Sequence, residues 1–151
     1  MPGPRDLLVR VAAVSVNPVD YKVRQGTAPL NEEWKVVGYD AAGIVTEVGP
    51  ETQFFKPGDE VYARVDDFRI GTFAEEVVVP EEMVIPIRKD MPWAQAALVG
   101  CCVATGVGAV TRHAKIETGS TVLVIGCGGV GLNAIQGAVL SGAGLIIAAD
   151  L

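Results

Sequence analysis

The chain predicts a mixed α/β fold in two parts: a mostly antiparallel β-barrel, then the opening βαβ unit of a second, incomplete domain. Three observations predict it. Short apolar runs separated by glycine and proline turns fill the first ninety residues. Twenty-six of the thirty Asp, Glu, Lys and Arg residues lie there too; only Arg112, Lys115, Glu117 and Asp150 follow, so the chain changes character near residue 90. Beyond that point VLVIGCGGVGLNAIQGAVLSGAGLIIAAD (Val122 to Asp150) runs through an apolar stretch, a glycine turn, a helical pattern, a second apolar stretch and an acid.

Taken in order, LLVRVAAVSV (Leu7 to Val16) is β-rich. Asn17-Pro18 suits a helix start, with Asn as N-cap and Pro at the first helical position, and the helix should stop at Gly26. AGIVTEVG and DEVYARV are two more strands, joined by a loop that ends in the turn Lys56-Pro57-Gly58-Asp59. TFAEEVVVP continues the series and Pro80 closes it. The barrel part therefore occupies residues 1–90. A helical connection follows over 91–118, where Trp93, Ala96, Ala97 and Gly100, then Val103, Val107 and Val110, keep helical spacing. Its many small residues predict close packing against a neighbouring backbone or ligand. Residues 119–151 hold the βαβ unit: STVLVIG, GVGLNAIQGAVLSGA and LIIAAD.

Composition excludes several functions. A net charge of −6 argues against nucleic acid or an anionic membrane surface as partner. Three cysteines, two of them adjacent, make no disulfide framework and fit a reducing, cytoplasmic setting; MPGPRDLLVR lacks the apolar core of a secretory signal. Met91 to Thr111 and Thr118 to Ala149 are uncharged and long enough to span a bilayer. Their glycines and polar residues, and the near-continuous apolar runs that doubly covered parallel strands require, favour a soluble α/β reading instead.

The sharpest motif is Gly126-Cys127-Gly128-Gly129-Val130-Gly131, a G-x-G-x-x-G between strand and helix, with Asp150 nineteen residues after it. Gly126 permits the tight turn, Gly128 lets a pyrophosphate approach the backbone, and Gly131 lets helix and strand pack closely. The helix N-terminus offers unspent N–H groups to the phosphates. Asp150 would accept hydrogen bonds from the adenosine ribose and repel a 2′-phosphate, which favours NAD over NADP. The competing reading is a glycine-rich structural βαβ unit.

These segments together resemble the medium-chain dehydrogenase/reductases, which join a GroES-like barrel to a Rossmann domain. VRVAAVSVNPVDYKVRQG, VVGYDAAGIVTEVG, KPGDEVYARV and GTFAEEVVVP are similar to the quinone oxidoreductase branch; LVGCCVATGVGAV and VLVIGCGGVGLNAIQGA are similar to the zinc alcohol dehydrogenases. The resemblance implies a nicotinamide-dependent oxidoreductase acting on a carbonyl, enone or quinone in a cleft between the two domains. Family members are longer, so it also implies an N-terminal fragment that self-associates or meets a complementing chain, or else an inactive fragment or interaction module that keeps the barrel, or a zinc alcohol dehydrogenase-like chain.

The zinc branch takes its catalytic ligands from positions that fall here on Asn17, Tyr39 and Cys101, and only the last is a zinc ligand of the expected kind. The expectation is that no metal binds. Catalysis would then rest on positioning and on hydrogen bonds to a developing oxyanion. The resemblance offers Asn17, Asp20, Tyr21 and Lys22 for that role, and Thr105 near the nicotinamide. Against it stand plainer readings: Asn17 as a helix cap, Tyr21 and Lys22 as surface residues, and Thr105 as helix packing. His113, near a helix C-terminus, suits the helix dipole better than acid–base work.

Overall fold

The structure, a computed structural model, describes residues 1–26, 36–65 and 70–151. It divides into two compact units, Met1–Gly100 and Cys101–Leu151, so the division falls inside the helical connection.

The first unit is built on a five-stranded antiparallel sheet of β1 (Asp6–Val14), β2 (Asp40–Val48), β3 (Glu60–Arg64), β4 (Glu76–Pro80) and β5 (Val84–Pro86), in the order β4-β1-β2-β3-β5. Alternation sets its inner face. Leu7 and Val9 of β1, Val45 of β2, Val61 and Ala63 of β3, Val77 and Val79 of β4 and Val84 of β5 all join one buried cluster. Every strand of the sheet thus contributes to this cluster. Two register shifts between β1 and β2, at Leu8/Val9 and Val11/Ala13, mark bulges of the kind that bend a strand.

The short helix α1 (Pro18–Arg24) follows β1, with Asn17 as N-cap, Pro18 in the first turn and Gly26 at φ +77° just past its end. The helix α2 (Trp93–Leu98) packs on the sheet through Ala96 and Ala97, which meet Ala42 of β2 with Tyr62 and Ile87 around them. Small residues on both sides let helix and strand approach closely.

Glu81 holds the loop before β3. It lies in a 3₁₀ turn (Glu81–Met83), and its Oε1 accepts the N–H groups of Gln53 (2.8 Å) and Phe54 (2.7 Å), while Arg5 reaches Oε2 at 3.4 Å. Burial acts to raise the Glu81 carboxyl, but the two N–H donors and the guanidinium outweigh it and hold the group below its ordinary value. A lowered folded-state value means stability that is present above the unfolded value and lost as pH falls through the folded one. Glu81→Gln is therefore expected to lower Tm at neutral pH and to close on the wild type as pH falls below the ordinary carboxylate range. Thermal melts across pH test this; a Tm gap that stays constant with pH would contradict it.

The second unit holds β6 (Thr121–Ile125), α4 (Gly129–Leu140) and β7 (Leu145–Ala149), with β6 and β7 paired in parallel from Thr121↔Leu145 to Ile125↔Ala149. Before them comes α3 (Ala104–Gly108), which packs on α4: Gly106 lies against the Val130 carbonyl, the Asn133 Cβ and the Ala134 nitrogen, and Gly137 against Val107. This is the close backbone approach that the small residues predict. The regular helix expected over the connection is only partly found. Val99–Val103 and Ala109–Ala114 wind as π-helix, and the stretch ends with Lys115, whose left-handed conformation (φ 49°) a glycine more often takes. Apolar spacing does not distinguish the i→i+5 register from the i→i+4 one. His113 lies exposed in the last turn beside Arg112, where a cation complements the helix dipole.

By length and composition alone, Trp93–Ala114 is one helical stretch of 22 residues long and apolar enough to cross a membrane, with mean hydropathy 1.6. The faces of the β6–β7 pair carry exposed Leu123, Ile125 (81% exposed), Leu145 and Ile147.

Candidate functional site

The second unit carries the glycine turn. The Gly126 N–H bonds the Ala149 carbonyl at 2.8 Å, tying the turn to the end of β7, and Gly126 itself adopts φ +91°. That left-handed conformation is one a β-carbon disfavours. Gly131 sits so close to the Gly126 carbonyl that a β-carbon there would overlap it; the nearest other atoms are the Gly126 carbonyl carbon at 2.9 Å and Val124 Cγ1 at 3.6 Å. Gly128 differs: a β-carbon added to it would meet nothing within 4 Å. The turn is thus crowded on the helix–strand side at Gly131 and open at Gly128. Gly128 caps α4, with its carbonyl accepting the Leu132 N–H at 2.9 Å, and the first-turn residues Gly129 and Val130 are exposed. Unspent N–H groups at the start of a twelve-residue helix suit a phosphate.

Asp150 lies beside this turn. Its Oδ2 accepts the Cys127 N–H at 2.6 Å and its Oδ1 the Leu151 N–H at 2.8 Å. These two donors, Cys127 first, hold the carboxyl below its ordinary value, so it stays ionised well into acid. A carboxylate has about four acceptor positions, so two remain for ribose hydroxyls. The room above Gly128, the N–H groups behind it and the anionic Asp150 fit a dinucleotide.

The first unit, taken by itself, holds a buried polar cluster. Asn17 is only 5% exposed, and its side-chain amide donates to Ser15 Oγ at 3.1 Å and to Asp40 Oδ2 at 2.7 Å. Ser15 Oγ also donates to Asp40 Oδ2, at 2.7 Å. At the backbone, Asn17 N–H reaches Asp20 Oδ2 at 2.6 Å in a capping box. The two acceptors lie only 2.7 Å apart and so meet the Asn17 amide nitrogen from one side, and an oxyanion-donor role for Asn17 would have to use its other hydrogen. Asp20 is likewise buried and holds the cap; it is not presented to solvent. Tyr21, 52% exposed, and Lys22 lie on the outer surface of α1. Thr105 is exposed on α3 in the second unit.

Asp40 is the residue that motif reasoning passes over. Fully buried, it carries a raised pKa: burial is the main cause, the Asp20 charge adds to it, and the bonds from Ser15 and Asn17 and the Arg64 charge pull the other way. Asp40 Oδ1 and Asp20 Oδ1 are buried without a hydrogen-bond partner. In the sequence, only the alternation that puts Asp40 at the head of a buried strand could have pointed to it.

The three positions that the zinc branch uses for its catalytic ligands hold Asn17, Tyr39 and Cys101 here. Among the described residues no three His, Cys, Asp or Glu side chains gather as a metal site. Asn17 donates its amide to Asp40 and Ser15, and Tyr39 is pushed above the ordinary phenol value by burial and then by Asp20, so it stays protonated. Three protein ligands for a catalytic zinc are not assembled from such a set.

Comparison with known proteins agrees with this architecture. Residues 3–89 match the alcohol dehydrogenase GroES-like domain family. The chain is 30% identical over 197 residues to the alcohol dehydrogenase class-3 of Cereibacter sphaeroides, covering 99% of this chain and 52% of that protein. It is 37% identical over 153 residues to the human mitochondrial NAD(P)H oxidoreductase RTN4IP1, covering 88% of this chain and 39% of that protein. The crystal structure of a Pseudomonas syringae quinone oxidoreductase matches with a TM-score of 0.86 at 30% identity, covering 98% of this chain and 45% of that one. The chain spans about half the length of the curated relatives it matches. With its GroES-like first unit and the parallel βαβ unit that follows, it belongs to the medium-chain dehydrogenase/reductase family and matches the N-terminal part of its members.

Proposed function

We propose that this chain is part of a zinc-independent, NAD-dependent cytoplasmic oxidoreductase that transfers hydride to or from a carbonyl, enone or quinone. The observation that carries the reading is the glycine turn: closed at Gly131, open at Gly128, with an ionised Asp150 beside it. Gly126 and Gly131 hold the turn and Gly128 leaves room for the pyrophosphate. The N–H groups at the start of α4 face its charge, and Asp150 accepts from the adenosine ribose. When bound, the dinucleotide supplies or takes the hydride. Tyr21 and Lys22 are the α1 side chains placed to donate hydrogen bonds to an oxyanion, and Thr105 is the candidate beside the nicotinamide. The exposed apolar faces of β6 and β7 support association, through a second copy or a complementing chain.

Fluorescence titrations with NADH and NADPH test the reading. Saturable NADH binding is expected, with NADPH at least about tenfold weaker because of Asp150. Asp150→Asn should narrow that gap, because the ribose contact weakens and the repulsion of a 2′-phosphate is lost. Failure to bind either cofactor, or equal affinity for both, would count against it. Stoichiometric zinc in protein purified without added metal would overturn the metal-free part.

A further inference from the structure

We propose that Asp40 is a positioning residue: with Ser15 it fixes the Asn17 side chain and, through it, the N-terminal turn of α1, the element that carries Tyr21 and Lys22. The role in substrate positioning rests on the reading of α1 given above; the fixing itself does not.

The geometry is a closed set of bonds around one carboxylate oxygen. Asp40 Oδ2 accepts from both Ser15 Oγ and Asn17 Nδ2, and the same Asn17 nitrogen donates to Ser15 Oγ. Asp40 is itself held from two further sides. Its carbonyl accepts the Thr72 hydroxyl at 3.0 Å, and its strand pairs with β3 through Asp40↔Arg64. Asn17 is therefore gripped twice, at its backbone N–H by Asp20 and at its side chain by Asp40, from different elements. A residue gripped at both ends has one orientation, and the helix it opens has one starting direction.

Stability does not account for the arrangement. A buried carboxylate with one oxygen unpartnered costs free energy, and an apolar pair of the same shape would pack as well or better. The unpartnered Oδ1 lies against Gly100, where a β-carbon would collide with it. Glycine at this position, in the π-helical turn after α2, thus leaves Asp40 in place where a larger side chain would push against it. What the acid adds is direction, because its two bonds to Ser15 and Asn17 are geometrically specific where apolar contact is not.

The test compares Asp40→Asn, Asp40→Ala and Ser15→Ala in the whole 151-residue chain with wild type. Two readouts are taken: amide hydrogen exchange along the chain, and the ¹H–¹⁵N resonances of the Asn17 side-chain amide. In wild type that amide should resonate away from the position of a free asparagine. Asp40→Ala should move it back and speed exchange in α1 by about tenfold or more, leaving β1, β2 and β3 protected. Asp40→Asn keeps an oxygen acceptor for both donors and should restore most of the wild-type behaviour. Ser15→Ala keeps the Asn17–Asp40 bond and should fall between; it carries the test if Asp40→Ala does not fold. Exchange rising evenly through sheet and helix, no change in α1, or Asp40→Asn behaving as Asp40→Ala would overturn the proposal. Adding 1,4-naphthoquinone to wild type separates the two readings. If Tyr21 and Lys22 resonances do not respond, the substrate role of α1 fails while the fixing by Asp40 is judged on the exchange data.

Discussion

Replacing Gly131 by alanine is expected to weaken NADH binding and to displace α4 from the glycine turn. A β-carbon at this position overlaps the Gly126 carbonyl oxygen, and the neighbours on that side are backbone. Gly126 cannot move aside freely. It is held at φ +91° and its N–H is bonded to the Ala149 carbonyl at the end of β7. Relief must come from the helix, and overpacking of this kind costs about 1–3 kcal/mol. Shifting the start of α4 also moves the N–H groups on which a pyrophosphate would rest, so affinity should fall by about five- to 140-fold, since each 1.4 kcal/mol is tenfold. Gly128→Ala is the informative companion. Its added methyl meets no protein atom within 4 Å, so the fold should be unchanged by circular dichroism. NADH affinity should nevertheless drop, because the methyl fills the space left for the cofactor. If Gly128→Ala bound NADH as wild type does, the open side of the turn would not be the phosphate site.

Leu7→Ala is expected to have the largest effect on the stability of the first unit, a loss of about 2–5 kcal/mol. Leu7 is fully buried in β1, the strand between β4 and β2, and it pairs with Val79 on one side and Val48 on the other. Truncation there leaves a cavity bordered by two strands that cannot both close on it. For a unit of this size the loss corresponds to roughly 10–30 °C in Tm, at several degrees per kcal/mol. The neighbouring Leu8, only partly buried on the opposite face, should lose much less as Leu8→Ala. Thermal melts of the two variants check the register directly. A one-residue slip of β1 would exchange their effects.

The metal-free reading of the first unit depends on contacts between distant residues. Asn17 reads in the sequence as an N-cap and, by resemblance, as a site residue, and it is indeed the cap of α1. That its amide donates to Ser15 and Asp40 follows only once β1 and β2 are paired. Asp40 itself sits in GYDAAG, where an acid after a tyrosine looks like the end of a loop. Burial comes from Thr72 and Gly100, thirty-two and sixty residues later in the chain.

Short-range chemistry was enough for much of the architecture. Alternating apolar residues at Leu7 and Val9, or Val77 and Val79, carry a period of two that only a strand satisfies with one face buried. Asn17-Pro18 opens a helix because both residues favour that terminus on their own. The glycine turn and Asp150 were legible because β6, the turn and α4 are contiguous, and their spacing places the acid at the end of the next strand. The three-residue β5 escaped, being too short and too near Pro86 to show a period. So did the π-helical segments Val99–Val103 and Ala109–Ala114, since winding by one extra residue changes which carbonyl each N–H meets and leaves the composition unaltered. By itself the sequence determined the strands, the cap, the glycine turn and the acid beside it, because each rests on neighbours along the chain. Only the tertiary structure decided that Asn17 is held rather than free and that Asp40 holds it. A hydrogen bond between residues far apart in sequence exists only after the sheet has brought them within three ångströms.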